Sequence, residues 1–207
     1  MIILKNMKTK VAILAPCKNG STSIESAWAG LLSDYEKRAN CKIKNLEIQE
    51  QVNLTKYKKI YLLTRPDHEW YLSGYRMNIP LYPDELPDPP QNFKQHLLEV
   101  KKFYQQSRET AHLEDRTVMF KNWNPQWVGH CAMNSKWIHK YVLDNSPRVE
   151  YIDINNTEKF QSVLTKIHRK LKVLHINKTL TACTKCNRKF DAVEDQPDLV
   201  REIINTI

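Results

Sequence analysis

The chain has 207 residues, of which 41% are hydrophobic and 27% are charged. This composition is that of a folded globular protein and excludes a disordered chain or a fibre. No apolar run approaches the ~20 residues that are needed to cross a bilayer. Lys and Arg outnumber Asp and Glu by 32 to 23, a net charge of +9, which favours anionic partners such as phosphates, sulfates, acidic glycans or nucleic acid.

The length predicts one domain over residues 1–207, or at most two small ones. The amino-terminal segment has two short apolar bursts split by lysines and no small-residue cleavage site, so we do not predict a signal peptide. Five scattered cysteines, an odd number, do not form a disulfide framework and indicate a reducing compartment. We therefore expect a soluble, cytoplasmic protein with no membrane partner.

Strand and helix patterns alternate along the chain. Short apolar runs predict strands at residues 10–15, 43–52, 59–64, 116–121, 137–143 and 149–154. Apolar residues at helical spacing predict helices at residues 24–38, 67–77, 92–110, 158–172 and 197–207. Loops are predicted at residues 80–90, with five of the 10 prolines, and at residues 122–134. This alternation predicts an α/β fold with a central, mainly parallel sheet flanked by helices.

A candidate anion site lies between the strand at residues 10–15 and the helix that follows it. Free amides at a helix start and the helix dipole both attract phosphate. A lysine adds charge there and hydroxyls add donors. The alternative is a purely structural role, in which a hydroxyl caps the helix and binds no anion. The candidate binding residues are Lys18, Asn19, Gly20, Ser21, Thr22 and Ser23.

This loop differs from that of a nucleoside triphosphatase. The usual pattern is G-x-x-x-x-G-K-(S/T), in which the lysine follows the second glycine. Here Lys18 precedes Gly20, and no glycine begins the loop. A nucleotide or sugar kinase also needs a magnesium-binding carboxylate after a strand, whereas Arg65 follows the strand at residues 59–64.

Two segments resemble sulfotransferases that use 3′-phosphoadenosine 5′-phosphosulfate (PAPS). Residues 16–24, PCKNGSTSI, are similar to the loop after the first strand of that family. Residues 65–76, RPDHEWYLSGYR, are similar to its second signature, in which an Arg at a strand end precedes a helical Ser by about eight positions. The likeness includes Arg65, Ser73 and Gly74. It implies a P-loop-type nucleotide-binding fold.

The resemblance also assigns roles in cofactor binding. The loop from Lys18 to Ser23 would hold the 5′-phosphate and the sulfuryl oxygens. Arg65 and Ser73 would bind the 3′-phosphate, which distinguishes PAPS and its product from ATP and AMP. Lys178 lies in a segment similar to a loop that covers the cofactor in relatives. No metal is required.

Weaker likenesses point to the carbohydrate branch of the family. Residues 122–126, NWNPQ, resemble an H-W-x-P-Q segment, with Asn122 where that branch commonly has His. Residues 81–115 match nothing in the family, and we expect acceptor specificity to lie there. The acceptor is predicted to be a hydroxyl or amine of a glycan or small molecule.

Sulfuryl transfer requires a group that stabilises the leaving oxygen and a general base. Charge builds on the leaving phosphate oxygen, where Lys18 would stabilise it. A general base removes the acceptor proton, and relatives use His or Glu for this step. The candidates are Glu47, Glu50 and His130.

Other interpretations stay open. A non-catalytic nucleotide-binding or nucleic-acid-binding module is one, but the lysines are spread along the whole sequence rather than clustered, so we predict no nucleic-acid partner. Cys183 and Cys186 form a lone C-x-x-C, read as a reduced pair, with a zinc site including His168 and His175 as the alternative. We expect a bacterial or bacterial-virus origin.

Overall fold

The computed structural model describes residues 1–31, 33, 41–45, 56–81, 92–112, 118, 121, 123, 125–173 and 196–207. The chain divides into two compact units. The first unit holds residues 1–65 and 138–177, and the second holds residues 66–137 and 178–207. The expectation of one domain over residues 1–207 stays a prediction.

The first unit contains a five-stranded sheet. Its strands are β1 (Ile2–Asn6), β2 (Val11–Ala15), β3 (Cys41–Asn45), β4 (Lys59–Thr64) and β5 (Val149–Asp153), in the spatial order β3-β1-β2-β4-β5. β2 and β4 are parallel, as are β4 and β5, whereas β1 is antiparallel to β2 and β3. The α/β class is confirmed. The sheet is mixed rather than mainly parallel, because the amino-terminal apolar burst forms a hairpin strand.

One face of this sheet carries two helices, α1 (Ser21–Leu31) and α6 (Thr157–Ile167). Their buried side chains join a core of alternate strand residues, among them Ile13, Leu63, Ile24, Phe160 and Leu164. Asn156 caps α6, since its side chain accepts a hydrogen bond from the Lys159 amide at 2.9 Å. The α6 helix ends at Ile167 rather than near residue 172.

The second unit is helical. It contains α2 (Asp67–Leu81), α3 (Phe93–Thr110), α4 (Pro125–Cys131) and α7 (Pro197–Thr206), with α3 packed on α7 and α2 packed on α4. Asn92 caps α3 by accepting from the Gln95 amide at 3.0 Å. The α2 helix runs past the predicted end at Met77 and includes Pro80, so the prediction of a loop at Pro80 is wrong.

Two predictions between residues 122 and 143 are wrong. The predicted strand at residues 137–143 is a helix, α5 (Ser135–Tyr141), whose residues 135–137 belong to the second unit and the rest to the first. Asn134 explains this, because its side chain accepts from the Trp137 amide at 2.8 Å and caps the helix. The predicted loop at residues 122–134 contains α4.

Two predicted strands are only partly described. Cys41–Asn45 forms β3, and the rest of the predicted strand to residue 52 lies outside the described residues. Of residues 116–121, only Val118 and Lys121 are described. The Lys121 amide donates to the Val118 carbonyl at 3.3 Å.

Candidate anion-binding site

The loop between β2 and α1 has an unusual backbone. Lys18 and Gly20 both have positive φ, 66° and 78°, in the left-handed region that only glycine enters without steric cost. The Asn19 amide donates to the Pro16 carbonyl at 3.1 Å and closes the turn. Alternation of backbone handedness directs successive amides into a concavity that suits anions.

Gly20 fixes this loop against the sheet. A Cβ at this position would lie 3.3 Å from Cγ2 of Ile154 and 3.5 Å from Cδ1 of Leu63. Ile154 directly follows β5, and Leu63 is the second-last residue of β4. Gly20 is therefore required both for its positive φ and for the close approach. No local pattern in the sequence indicates that Leu63 and Ile154 support the loop.

The first turn of α1 presents backbone donors beside this loop. The helix ladder begins with the Ile24 amide, which donates to the Gly20 carbonyl at 3.0 Å. The amides of residues 21–23 precede that ladder, as at every helix start. Thr22 is exposed and Ser21 is half-buried, whereas Asn19 and Ser23 are buried, at 1% and 3% exposure. Among the predicted side chains of the loop, those of Lys18, Ser21 and Thr22 reach the surface.

Arg65 stands at the same edge of the sheet as the loop. It follows β4 directly, and β4 runs parallel to β2 with Leu62 opposite Leu14. Neighbouring strands lie about 4.8 Å apart, so the chain leaves both strands side by side. The half-buried side chains of Lys18 and Arg65 thus give this edge two cations next to a helix amino terminus.

Ser73 belongs to the second unit, where it is half-buried in α2. Arg65 belongs to the first unit. The joint role of these two residues on a 3′-phosphate therefore stays a prediction from the resemblance. The neighbouring Gly74 has a structural explanation, because the Cβ of an alanine there would lie 2.8 Å from the carbonyl oxygen of His130.

The structure describes one of the three candidate general bases. His130 lies in α4 of the second unit, not in a loop, and it is half-buried. Glu47, Glu50, Asn122 and Lys178 lie outside the described residues. Their predicted roles stay predictions.

The Trp-containing segment contributes to the core of the second unit. Trp127 is fully buried and stacks on Trp123, with ring centroids 4.8 Å apart. The Trp123 indole N–H donates to Oε1 of Gln106 at 2.6 Å. Sequence reasoning did not single out the buried His96 nearby, whose ring lies 6.1 Å from that of Trp127. Burial lowers the pKa of His96 to about 3, so it is neutral in the folded protein.

The described part of the chain contains Cys17, Cys41 and Cys131, none of which is in a disulfide. Burial raises the pKa of the Cys41 thiol to about 12, which keeps it protonated. Within the described ranges no three His, Cys, Asp or Glu residues are grouped so as to hold a metal ion. Cys183, Cys186 and His175, the other members of the zinc alternative, lie outside those ranges.

No family model, curated protein or solved structure matches the chain. None of the helices in the described ranges combines the length and the apolar character required to span a bilayer.

Proposed function

We propose that the chain is a PAPS-dependent sulfotransferase that acts on a hydroxyl or amine of a glycan or small molecule. The observation that carries the proposal is the pairing, at one edge of the sheet, of the strained β2–α1 loop and Arg65. A non-glycine residue with positive φ is costly and is commonly retained where it serves a site. At Lys18 that conformation holds a cation beside the start of α1.

The donor set fits a phosphosulfate. Lys18, the amides of residues 20–23 and the hydroxyls of Ser21 and Thr22 offer positive charge and hydrogen-bond donors, and the described loop contains no carboxylate. Arg65 would take the 3′-phosphate, for which a guanidinium is suited because it can bind two oxygens at once. Ser73 and Lys178 complete the set only through the resemblance.

Bound in this way, PAPS would supply a sulfuryl group, whose bond to the phosphate oxygen breaks as a bond to the acceptor oxygen or nitrogen forms. Lys18 and the α1 amides would stabilise the charge that develops on the leaving oxygen. A general base, with Glu50 and His130 as the candidates, would accept the proton of the acceptor. Both roles are predictions for this chain's residues.

The first experiment compares 3′,5′-adenosine bisphosphate, AMP and ATP as stabilisers in thermal unfolding. A ligand at 100 times its dissociation constant adds about 2.7 kcal/mol to the free energy of unfolding. We expect the bisphosphate to stabilise most, and Arg65→Ala to remove its advantage over AMP. Arg169→Ala is the matched control, because Arg169 is exposed beyond the carboxyl end of α6. Transfer of labelled sulfate from PAPS to candidate acceptors is the second step.

Equal or better stabilisation by ATP would overturn the proposal in favour of a kinase-like enzyme. One observation favours that alternative, since β5 ends in the exposed carboxylate of Asp153, at the same sheet edge as Arg65. Its Oδ1 accepts from the Asn155 amide at 2.9 Å, and magnesium could use the remaining oxygen. A magnesium-dependent ATP response that Asp153→Asn abolishes would identify the kinase. No response to any of the three nucleotides would exclude both enzymes.

A further inference from the structure

The opposite edge of the sheet is basic. β1 ends there, and β2, β3, β4 and β5 begin there, since Asn6 pairs with Cys41 and Val11, and Val11 pairs with Lys59. The loops at this edge belong to the first unit. Six exposed cations on these loops and strand starts form the basic edge: Lys8, Lys10, Lys42, Lys56, Lys58 and Arg148.

Backbone hydrogen bonds hold this edge together. The Lys58 amide donates to the Lys10 carbonyl at 2.8 Å, and the Ile60 amide donates to the Arg148 carbonyl at 3.1 Å. The turn that carries Lys8 is closed on Asn6, whose Oδ1 accepts from the Lys8 amide at 2.9 Å. These cations therefore lie on backbone that is held in place by hydrogen bonds.

The sheet also sets two like charges against each other. Lys5 on β1 lies directly opposite Lys42 on β3, so both side chains are on one face. Like charges opposite each other in an antiparallel pair are destabilising. An anion bound between them would relieve that repulsion.

Few carboxylates offset this charge in the described part of the first unit. Glu150 on β5 forms an ion pair with Lys59, with Oε2 and Nζ 3.0 Å apart. Asp144 precedes that strand. The carboxyl end of α6 adds cations instead. The Asn6 side chain donates to the Ile167 carbonyl at 2.6 Å, which brings the helix end to this edge, and the exposed Arg169 and Lys170 follow.

We propose that the basic edge binds the phosphate backbone of double-stranded nucleic acid without reading its sequence. Five strands span about 19 Å, a length over which a duplex presents roughly 11 phosphate charges. Five of the six cations are lysines, which act as point charges on phosphate, whereas base reading favours bidentate arginine. Tyr57, the aromatic residue between Lys56 and Lys58, is only 5% exposed, so it offers no platform for the stacked bases of a single strand.

This inference goes beyond the proposed function, because the basic edge lies at the end of the sheet opposite the β2–α1 loop. It also revises the expectation of no nucleic-acid partner. That expectation rested on lysines scattered along the sequence, and the fold brings residues 8, 10, 42, 56 and 58 to one edge.

The test measures the affinity of the whole chain for a 20-base-pair duplex of random sequence by fluorescence anisotropy, between 50 and 200 mM salt. One variant replaces Lys8, Lys10, Lys56 and Lys58 with Gln. The matched control replaces four exposed lysines elsewhere, Lys94, Lys102, Lys121 and Lys136, so both variants lose the same charge. We expect the first variant to lose at least about tenfold in affinity and the salt slope to fall by about 0.9 for each phosphate contact removed. The control should change several-fold less.

Three results would overturn the proposal. Equal losses in the two variants would show that net charge, not location, drives binding. Absence of wild-type binding at 100 mM salt would exclude the basic edge as a binding site for duplex nucleic acid. Tighter binding of a sulfated polysaccharide than of the duplex, lost in the same variant, would assign the edge to an acidic glycan. Unfolding curves of both variants in the absence of ligand confirm that each one folds.

Discussion

The backbone of Gly74 in α2 lies against the backbone carbonyl of His130 in α4. A Cβ at position 74 would be 2.8 Å from the His130 oxygen and 3.2 Å from the Cα of Cys131. The Cys131 thiol donates to the Gly74 carbonyl at 3.6 Å. Gly74, a matching position of the second signature, and His130, a candidate general base, thus meet through their backbones, at a helix crossing that only glycine permits.

Gly74→Ala should therefore destabilise the protein. Alanine favours a helix, but here its methyl group would force two backbones apart, and overpacking of this kind costs about 1–3 kcal/mol. The control is Gly30→Ala at an exposed position of α1, where the same change should add about 0.5–1 kcal/mol. Urea unfolding measures both. If Gly74→Ala also stabilises, the two helices do not pack this closely.

Tyr71 and Tyr104 form a directed chain of buried hydrogen bonds in the second unit. The Tyr104 hydroxyl donates to the Ala132 carbonyl at 2.6 Å, so its oxygen accepts from the Tyr71 hydroxyl at 2.9 Å. The Asn134 side chain donates to the Tyr71 hydroxyl at 3.0 Å. Burial raises the pKa of both tyrosines well above the usual range, so both hydroxyls keep their protons.

This direction identifies the groups that each mutation leaves without a partner. Tyr104→Phe leaves the Tyr71 proton without its acceptor, whereas the Ala132 carbonyl still accepts from the Asn134 amide at 3.0 Å. Tyr71→Phe leaves a proton of Asn134 without an acceptor, while Tyr104 still donates to Ala132. Because each unsatisfied buried group costs about 1–3 kcal/mol, each change should lower the free energy of unfolding by about that amount.

A double-mutant cycle in urea checks the same network. The two losses should be non-additive by about 0.5–3 kcal/mol, as expected for residues in one hydrogen-bond network. Additive losses would show that the two hydroxyls do not belong to one network.

Local signals in the sequence predicted much of the fold. The strand β4 and the helix α3 are predicted at residues 59–64 and 92–110 because strand composition and apolar helical spacing are signals within a few residues. The strand β1 was missed because Lys5 interrupts its apolar run. Residues 137–143 were misassigned because Trp137 and Ile138 suit a strand, and only the Asn134 cap distinguishes the helix.

Less of the candidate site than of the fold can be predicted from the sequence. Lys18 and the adjacent Gly20 could be identified, since a strand, a glycine-containing turn and hydroxyls occur in order. The left-handed backbone of Lys18 and the support from Leu63 and Ile154 depend on strands that are distant in the sequence. The basic edge arises in the same way, because strand register brings together lysines that are far apart along the chain.

His96 makes stability depend on pH. Burial lowers its pKa to about 3 in the folded chain, against about 6.5 when unfolded. The unfolded state therefore takes up a proton below pH 6.5 and the folded state does not. Stability falls as the pH drops from 6.5 towards 3, and above that window His96 contributes no pH dependence.

His96→Phe should remove this dependence. When the pH is lowered from 7.5 to 5, the free energy of unfolding of the variant should fall by about 2 kcal/mol less than that of the wild type. The ring neighbours Tyr75, Phe93 and Trp127 provide an aromatic environment for the new side chain. His112→Phe, in which the imidazole removed is exposed, is the control. Parallel pH profiles for wild type and His96→Phe would show that His96 is charged or solvated in the folded protein.

The strain at Lys18 can be separated from its proposed role in binding. Lys18 and Lys10 have nearly the same left-handed φ, 66° and 57°, and Lys10 lies in the β1–β2 turn at the other edge of the sheet. Replacement of either by glycine removes a steric cost of about 1–2 kcal/mol, offset in part by the greater freedom of glycine in the unfolded chain. Both variants should therefore gain up to about 1 kcal/mol in unfolding free energy without ligand.

Addition of 3′,5′-adenosine bisphosphate should then distinguish the two variants. Lys10→Gly should keep the wild-type increment, about 2.7 kcal/mol at 100 times the dissociation constant, whereas Lys18→Gly should lose most of it. Urea unfolding with and without the bisphosphate measures both quantities in one experiment. If Lys18→Gly keeps the full increment, the left-handed lysine is not a ligand of the anion. If it loses stability without ligand, its side chain serves the fold and the strain has another origin.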